Sequence, residues 1–239
     1  MNLLKGESAL VAAKISEMFM SFQGEGPYAG SRQLFIRFYG CNKSCVYCDT
    51  PQKSYKTFTK DGLMGKILDF EGNYNELVLT GGEPLLYADF LSMFLSLYKR
   101  HRKNRIYLET NGTLVTGLKK VIEYVDIVAM DIKLPSSTQE PGDVWESHAE
   151  FAKISSGKEL FIKMVITGNT KTDDIVRAAE VIKGVKSKIS VVLQPVTPPN
   201  DSIKEPDKEM LLYFTKYLEQ KTGQDIIVLG QLHKKLGIR

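Results

Sequence analysis

Hydrophobic and polar positions follow two alternating periods along the chain. Short runs rich in β-branched and apolar residues alternate with longer segments whose apolar residues recur every three to four positions. In residues 88–101, for example, Phe90, Leu91, Phe94, Leu95 and Tyr98 form one stripe at helical spacing. The short runs predict strands at Lys14–Met20, Gln33–Tyr39, Glu76–Thr80, Arg105–Glu109, Val125–Met130, Glu159–Thr167, Lys188–Gln194 and Asp225–Leu229. The longer segments predict helices at Thr59–Phe70, Ala88–His101, Thr116–Tyr124, Gly142–Ile154, Lys171–Lys183 and Glu205–Thr222.

Strands that alternate with helices over short connections predict a parallel α/β sheet with right-handed crossovers. The segment Val125–Met130 is nearly all apolar, as expected for a strand that is covered on both faces. The number of strand–helix units is too small for a closed eight-stranded barrel, which takes about 250 residues. We therefore expect a partial, open β/α barrel with about six parallel core strands. It would form one domain over 1–239, with 1–13 as an N-terminal extension and 225–239 as a C-terminal strand and tail.

Composition narrows the class of protein. The 239 residues are 43% hydrophobic and 25% charged, which excludes a disordered, collagen-like or disulfide-rich chain. No apolar run approaches the roughly 18 residues of a membrane span, and the N-terminal segment does not fit a signal peptide. We expect a cytoplasmic protein without membrane association. The net charge of +4 suits an anionic small substrate or an acidic redox partner and does not require nucleic acid.

The cysteines are the strongest chemical signal. All three, Cys41, Cys45 and Cys48, lie in one loop with the spacing C-x3-C-x2-C. A structural zinc site normally takes four ligands, for which Asp49 would be an awkward fourth. A disulfide with one free thiol is disfavoured in a cytosolic chain. An iron–sulfur cluster is the third interpretation, since thiolates select zinc or iron–sulfur; three thiolates on four irons would leave one iron open for a ligand, unlike the four-cysteine electron carriers.

Two motifs together resemble the signature of the radical S-adenosylmethionine (SAM) superfamily. The first is the cysteine loop with Tyr47 just before its last cysteine. The second is Thr80-Gly81-Gly82-Glu83-Pro84, directly after a predicted strand. The resemblance implies a 4Fe-4S cluster whose open iron binds SAM. An electron from the cluster then cleaves SAM to methionine and a 5′-deoxyadenosyl radical.

Further motifs resemble the 7-carboxy-7-deazaguanine synthase family of queuosine biosynthesis. They are Phe22-Gln23-Gly24-Glu25-Gly26, Arg37 four residues before the first cysteine, Asp49-Thr50, and the segments 109–112, 131–137, 194–196 and 231–234. The resemblance implies a lyase that converts 6-carboxy-5,6,7,8-tetrahydropterin to 7-carboxy-7-deazaguanine with loss of ammonia. It also implies Mg2+ near the substrate carboxylate, a flavodoxin- or ferredoxin-like reductant and a homodimer.

The same resemblance assigns site residues. No side chain is expected to be catalytic, because the cluster and SAM generate the radical. Cys41, Cys45 and Cys48 would bind the cluster, and Thr50 would bind Mg2+. Substrate contacts are implied for Phe22, Gln23, Gly24, Glu25, Arg37, Thr80 and His233. Cofactor contacts are implied for Tyr47, Cys48, Asp49, Gly82, Glu83, Glu109, Asn111, Asp131, Lys133, Gln194, Pro195, Val196 and Thr197.

The residue types support these assignments to different degrees. A guanidinium at Arg37 can hold a carboxylate with two hydrogen bonds, although an outward-facing strand arginine is the alternative. The amide of Gln23 suits the mixed donors and acceptors of a pterin edge, although a flexible turn is the alternative. Asn111 with the following glycine is also typical of a plain turn. Lys133 and His233 have simple solvated side chains as their alternatives.

Two other functions remain open from the sequence. One is another radical SAM enzyme, such as a glycyl-radical activase, against which residues 23–26 and the pair Asp49-Thr50 argue. The other is a non-enzymatic iron–sulfur or zinc protein. The histidines His101 and His148 are expected at the surface.

Overall fold

The computed structural model describes residues 11–50, 54–70, 74–140 and 142–237, which contain one nine-stranded sheet. The strands are β1 (Ala12–Phe22), β2 (Arg32–Phe38), β3 (Lys56–Thr59), β4 (Glu76–Gly81), β5 (Arg105–Thr110), β6 (Ile127–Asp131), β7 (Glu159–Ile166), β8 (Ser190–Pro195) and β9 (Asp225–Val228). The helices are α1 (Lys60–Leu68), α2 (Ala88–His101), α3 (Val115–Val121), α4 (Pro135–Thr138), α5 (Trp145–Ser155), α6 (Thr172–Lys183), α7 (Lys208–Thr222) and α8 (Leu232–Leu236).

The sheet is parallel through its core and open at both edges. Its strand order is β3-β1-β2-β4-β5-β6-β7-β8-β9. Every pair from β2 to β9 is parallel, whereas β1 pairs antiparallel with both β2 and β3. The main core lies between the sheet and the helices, as in the contacts of Phe94 and Leu108. The predicted partial, open β/α barrel is confirmed. No helix in the described ranges is both long and apolar enough to cross a membrane.

The edges of the sheet differ from the prediction. Strand β1 begins at Ala12, so two residues that we assigned to the N-terminal extension belong to the sheet; residues 1–10 lie outside the described residues. Strands β1 and β2 are antiparallel because the connection between them, which contains only a single 3-10 turn at Gly26–Tyr28, is too short for a crossover. Strand β3 was not predicted, since Lys-Thr-Phe-Thr lacks an apolar run. Helix α7 begins later than predicted, where the carboxylate of Asp207 accepts a hydrogen bond from the backbone N–H of Met210 at 2.7 Å.

The inner face of the half-barrel has an apolar floor. Each of the six parallel core strands contributes one buried residue to it: Phe35, Val78, Tyr107, Ile127, Phe161 and Val192. Side chains two residues further on point to the same face, toward the carboxyl ends of the strands. Those residues are Arg37, Thr80, Glu109, Ala129, Lys163 and Gln194, and all of them line one cavity. The strand period therefore places a largely polar layer directly above the floor.

Candidate active site

A cavity of about 550 Å3 opens above the floor at the carboxyl ends of the core strands. Ligand sites of parallel α/β proteins lie at this end of the sheet. The structure places most of the predicted site residues on its walls: Phe22, Gln23, Gly24, Glu25, Arg37, Cys41, Cys45, Tyr47, Cys48, Asp49, Thr50, Thr80, Gly82, Glu109, Asn111, Asp131, Lys133, Gln194, Val196 and Thr197. Glu83 and Pro195 are not among the lining residues. His233 lies in α8, and its side chain is outside the described part of the chain.

The cysteine loop forms one wall of the cavity. The Sγ of Cys41 accepts a hydrogen bond from the backbone N–H of Lys43 at 3.4 Å and lies 3.9 Å from Nδ2 of Asn111. Burial raises the pKa of Cys41 and raises that of Cys45 to about 11. In the cluster-free chain these thiols are therefore protonated at neutral pH, so binding of metal must displace protons.

Asp49 is not free to serve as the fourth ligand of a zinc site. Asp49, the suggested fourth ligand, is already engaged by other residues: it accepts a hydrogen bond from Gln231 at 3.1 Å and forms an ion pair with Lys234. The thiols are thus not arranged around one ion with this carboxylate.

Glu83 braces two loops from behind the cavity wall. Its carboxylate is fully buried and accepts hydrogen bonds from the backbone N–H groups of Leu85 (3.0 Å) and Asn111 (2.8 Å) and from the hydroxyl of Thr110 (2.9 Å). Burial raises the pKa of Glu83 to about 7, although these hydrogen bonds act in the opposite direction. These contacts give Glu83 a structural role, and its direct contact with a cofactor ammonium remains a prediction.

Gly82, which belongs to the same loop, does line the cavity. The chain reaches this position through Gly81, whose φ is +131° and where an added Cβ would lie 2.2 Å from the carbonyl oxygen of Phe38. Only glycine fits there. The loop after β4 is therefore held in place by a close backbone contact and by the Glu83 carboxylate.

Gln23 organises the loop 23–31 from inside. Its Nε2 donates to Oε1 of Gln33 at 3.1 Å and to Oε1 of Glu109 at 2.9 Å. Its Oε1 accepts from the backbone N–H groups of Gly24 (2.9 Å) and Glu25 (3.1 Å). The amide that we expected at a pterin edge is thus fully used within the protein. These hydrogen bonds connect the loop to β2 and β5, and the substrate contact of Gln23 remains a prediction.

Arg37 points into the cavity, so the outward-facing alternative is wrong. Its Nε lies 3.3 Å from a carboxylate oxygen of Glu17, and its Nη1 lies 3.5 Å from the hydroxyl of Thr50. The guanidinium also lies over the ring of Phe19 at 5.7 Å. These contacts engage the guanidinium at two separate nitrogens, Nε and Nη1.

Two carboxylates and two lysines form another part of the wall, which reaches the cysteine loop where Nζ of Lys133 lies 5.5 Å from the centroid of the Tyr47 ring. Nζ of Lys163 lies 2.6 Å from Oε2 of Glu25, and Nζ of Lys133 lies 2.8 Å from Oδ2 of Asp131. Burial alone would raise the pKa of Glu25, but Lys163 holds it below the usual value. Burial would likewise lower the pKa of Lys133, but Asp131 raises it well above its usual range. Lys133 is paired and largely buried, so the solvated alternative is wrong.

Sequence reasoning missed three residues. Lys163 lines the cavity, and its signal was a lone lysine in an apolar strand. Gln231 lines it too, and donates to Glu25 at 2.8 Å. His148 was expected at the surface but is fully buried, with Nε2 3.1 Å from the carbonyl oxygen of Asn111. Burial lowers the pKa of His148 to about 4. Its position follows from the apolar stripe of α5, which includes Phe151.

The lining residues fit the cofactors that the resemblance implies. Asp131 and Gln194 line the cavity, and each has one buried side-chain oxygen, Oδ1 and Oε1, without a hydrogen-bond partner among the described residues. Buried acceptors are normally satisfied, so these two suit a ligand that brings its own donors, such as an ammonium or an adenine amine. The cations Lys133 and Arg37 suit carboxylates. Three thiols beside these groups match a cluster with one open iron.

Comparisons with known proteins agree with this arrangement. The model of the radical SAM superfamily matches residues 35–212. The chain is 34% identical to the 7-carboxy-7-deazaguanine synthase of Geobacter sulfurreducens, over 94% of this chain and 97% of that protein. It is 33% identical to the enzyme of the same name from Methanothermobacter thermautotrophicus, over 96% of this chain and 99% of the relative.

Solved structures agree in fold. The crystal structure of QueE from Escherichia coli matches with a TM-score of 0.61 and 19% identity, covering 91% of this chain and 93% of that chain. A radical SAM methyltransferase from Sphaerobacter thermophilus matches with a TM-score of 0.63 and 15% identity, covering 89% and 69%. At these identities the likeness establishes the fold alone. From the family model and the sequence relatives, the chain belongs to the radical SAM superfamily and, within it, to the 7-carboxy-7-deazaguanine synthase family.

Proposed function

We propose that this protein converts 6-carboxy-5,6,7,8-tetrahydropterin to 7-carboxy-7-deazaguanine with loss of ammonia, in the biosynthesis of queuosine and related 7-deazapurines. One observation carries the proposal. A single cavity brings the cysteine loop together with a guanidinium at Arg37 and a carboxylate at Glu25. A carboxylated pterin needs a cation for its carboxylate and an acceptor for its guanidine-like nitrogens, and the cavity offers both.

Cys41, Cys45 and Cys48 would hold a 4Fe-4S cluster, and SAM would lie against the walls that contain Tyr47, Gly82 and the segments 131–133 and 194–197. When bound, the cluster and SAM supply a carbon-centred radical that removes hydrogen from C6 of the substrate. The support within the chain is the pair of unsatisfied acceptors on Asp131 and Gln194 and the three thiols on one wall.

The residues of the chain would bind and orient the substrate. Arg37 would bind its carboxylate through Nη1 and Nη2, since Glu17 contacts the guanidinium at Nε and Thr50 contacts it through a single hydrogen bond at Nη1. Glu25 would accept hydrogen bonds from the amino-pyrimidine edge. The apolar floor, including Phe35 and Phe161, would exclude water below the pterin ring. Exclusion of water protects a radical from side reactions.

The remaining parts of the proposal concern the metal ion, the reductant, the assembly and the location. We place Mg2+ at Thr50, because this ion keeps several waters and needs few protein ligands, and the Thr50 hydroxyl lies 3.5 Å from a carboxylate oxygen of Asp49. A flavodoxin- or ferredoxin-like reductant, a homodimer and a cytoplasmic location are proposed from the family resemblance. The net charge of +4 is compatible with an acidic electron donor.

The test is product formation by anaerobically reconstituted protein. Incubation with carboxytetrahydropterin, SAM, Mg2+ and a reductant should yield the deazapurine, and the protein should contain about four irons per chain. Replacement of Cys45 by Ala should abolish SAM cleavage, while replacement of the exposed Lys120 by Met should leave it intact. Cleavage of SAM without a deazapurine product would favour another radical SAM reaction. Zinc without iron in the purified protein would end the proposal.

A further inference from the structure

Strand β7 packs against the substrate loop, which we define as residues 23–31. Three alternate residues of this strand, Glu159, Phe161 and Lys163, each contact the loop 23–31. The hydroxyl of Tyr28 donates to the carboxylate of Glu159. Phe161 lies against Gly26, where an added Cβ would be 2.7 Å from Cε2 of the ring. Since alternate residues of a strand share one face, the loop follows β7 from its start toward the cavity.

At Lys163 the contacts between β7 and the substrate loop reach the cavity. Its Nζ lies 2.6 Å from Oε2 of Glu25 and 3.5 Å from Oδ2 of Asp131. Glu25 belongs to the loop proposed for the pterin, and Asp131 to the segment proposed for SAM. One ammonium thus connects the two halves of the site, and its side chain is only 19% exposed.

Several groups face the Glu25 carboxylate from the elements around it. Lys163 approaches from β7, Gln194 from β8 at 3.4 Å and Gln231 from the C-terminal segment at 2.8 Å. The carboxylate of Asp49, which shares the Nε2 donor of Gln231 with Glu25, adds a repulsive charge. Among the described side chains that contact Glu25 in these ion pairs and hydrogen bonds, Lys163 is the one cation. Without it, the carboxylate would be a buried charge beside a second carboxylate, which is strongly unfavourable.

We propose that Lys163 is a positioning residue for the substrate: it fixes the Glu25 carboxylate as the acceptor for the donor edge of the pterin and ties the substrate loop to the cofactor segment at Asp131. This inference rests on the proposed function. Lys133 remains on Asp131 when Lys163 is lost, so the effect should fall mainly on the pterin and much less on SAM.

The experiment measures ligand affinity, not turnover. Wild type, Lys163→Met, Lys163→Arg and the surface control Lys120→Met are reconstituted and titrated with 6-carboxypterin, the aromatic form of the substrate, and separately with SAM. We expect Lys163→Met to bind the pterin on the order of ten- to a hundredfold more weakly, with a several-fold smaller effect on SAM. Lys163→Arg should restore most of the affinity, and the control should match wild type.

The dependence on pH separates positioning from a general structural defect. Lowering the pH from about 8 to about 6 should weaken pterin binding by Lys163→Met further, because burial then favours protonated Glu25. Wild type should change little, since Lys163 keeps the pKa of Glu25 low. Glu25→Gln should bind the pterin as weakly as Lys163→Met but without this pH dependence, and the double variant should lose no more than either single one.

The outcomes are distinguishable. Failure of wild type to bind 6-carboxypterin would reject the proposed function itself. Tight binding by wild type, with Lys163→Met within about twofold of it at both pH values, would overturn the inference about Lys163 alone. If Lys163→Met unfolds at a much lower temperature than wild type, Glu25→Gln decides: pterin binding by this variant within about twofold of wild type would show that Lys163 does not act through Glu25.

Discussion

Replacement of Glu83 tests whether this residue braces the active-site loops or contacts the cofactor. In Glu83→Ala, two backbone N–H groups and one hydroxyl lose their acceptor at a fully buried position. Each unsatisfied buried donor costs about 1–3 kcal/mol. Because the hydroxyl of Thr110 can rotate toward another partner, we expect the free energy of unfolding to fall by about 3–5 kcal/mol, a large part of the total for a typical domain.

Glu83→Gln separates shape from charge. The amide keeps an oxygen for two of the three donors but presents an NH2 group to the third, so the expected loss is smaller, about 2 kcal/mol. The pH dependence gives a second readout. Burial raises the pKa of Glu83 to about 7 in the folded chain, above the ordinary value of 4.5. Folding therefore favours the protonated form, and this contribution to stability is lost as the pH rises through that interval. Glu83→Gln should lack that part of the pH dependence.

Urea unfolding of the cluster-free chain, followed by circular dichroism, measures both effects. The surface variant Glu180→Ala serves as the matched control, because its carboxylate forms an exposed pair with Lys183 and should change stability by less than about 1 kcal/mol. If Glu83→Ala unfolds like wild type yet no longer binds SAM after reconstitution, Glu83 contacts the cofactor directly and does not hold the two loops in place.

Three further variants test the substrate loop and its surroundings. Arg37→Ala should weaken binding of 6-carboxypterin by on the order of 2–4 kcal/mol and that of SAM far less; equal losses in calorimetric titrations would place Arg37 outside the substrate site. Gly26→Ala should destabilise the chain more than Gly223→Ala, because both glycines have φ of +66° but only an alanine at Gly26 would overlap Phe161. Thermal unfolding compares the two, and equal shifts would show that the loop does not rest on that ring. Wild type should lose stability as the pH falls from about 6.5 toward about 4, because His148 is protonated in the unfolded chain while burial keeps it neutral in the folded one. His148→Gln should lack this part of the pH dependence. An unchanged pH profile of melting temperatures would argue against the burial of His148.

The strands that are covered on both faces were predictable from sequence to within one or two residues at most ends. Strand β5, for example, was predicted at Arg105–Glu109 and ends at Thr110. A continuous apolar run marks such a strand because both of its faces pack against other elements. Strand β3 was missed because its side chains at the sheet edge are exposed or half-buried and need no apolar pattern. Where the chain enters a sheet by its edge, pairing with a neighbour decides the structure.

Site residues were predictable where they are adjacent in the chain, as in the cysteine loop. They were not predictable where the partner is remote. Lys163 pairs with Glu25 across 138 positions, and Gln231 reaches the same carboxylate across 206. The structural role of Glu83 was not predicted for the same reason, because one of its carboxylate oxygens accepts a hydrogen bond from a turn 28 residues away. A motif identifies the residue types near a ligand, but it does not show which of these side chains already form hydrogen bonds with other residues of the protein.

The alternation of side chains between the two faces of each strand nevertheless identifies site residues that the motifs do not. In a strand buried on both faces, a charged side chain on the helix side would enter the hydrophobic core, which is costly without a partner. A lone charge there must therefore face the cavity, as Arg37, Asp131 and Lys163 do. The rule holds only toward the carboxyl ends of the strands: Arg105 and Glu159, at the strand starts, pair with each other instead. The position of a charged residue along its strand and the face on which it lies thus distinguish residues that bind a ligand from residues that stabilise the fold.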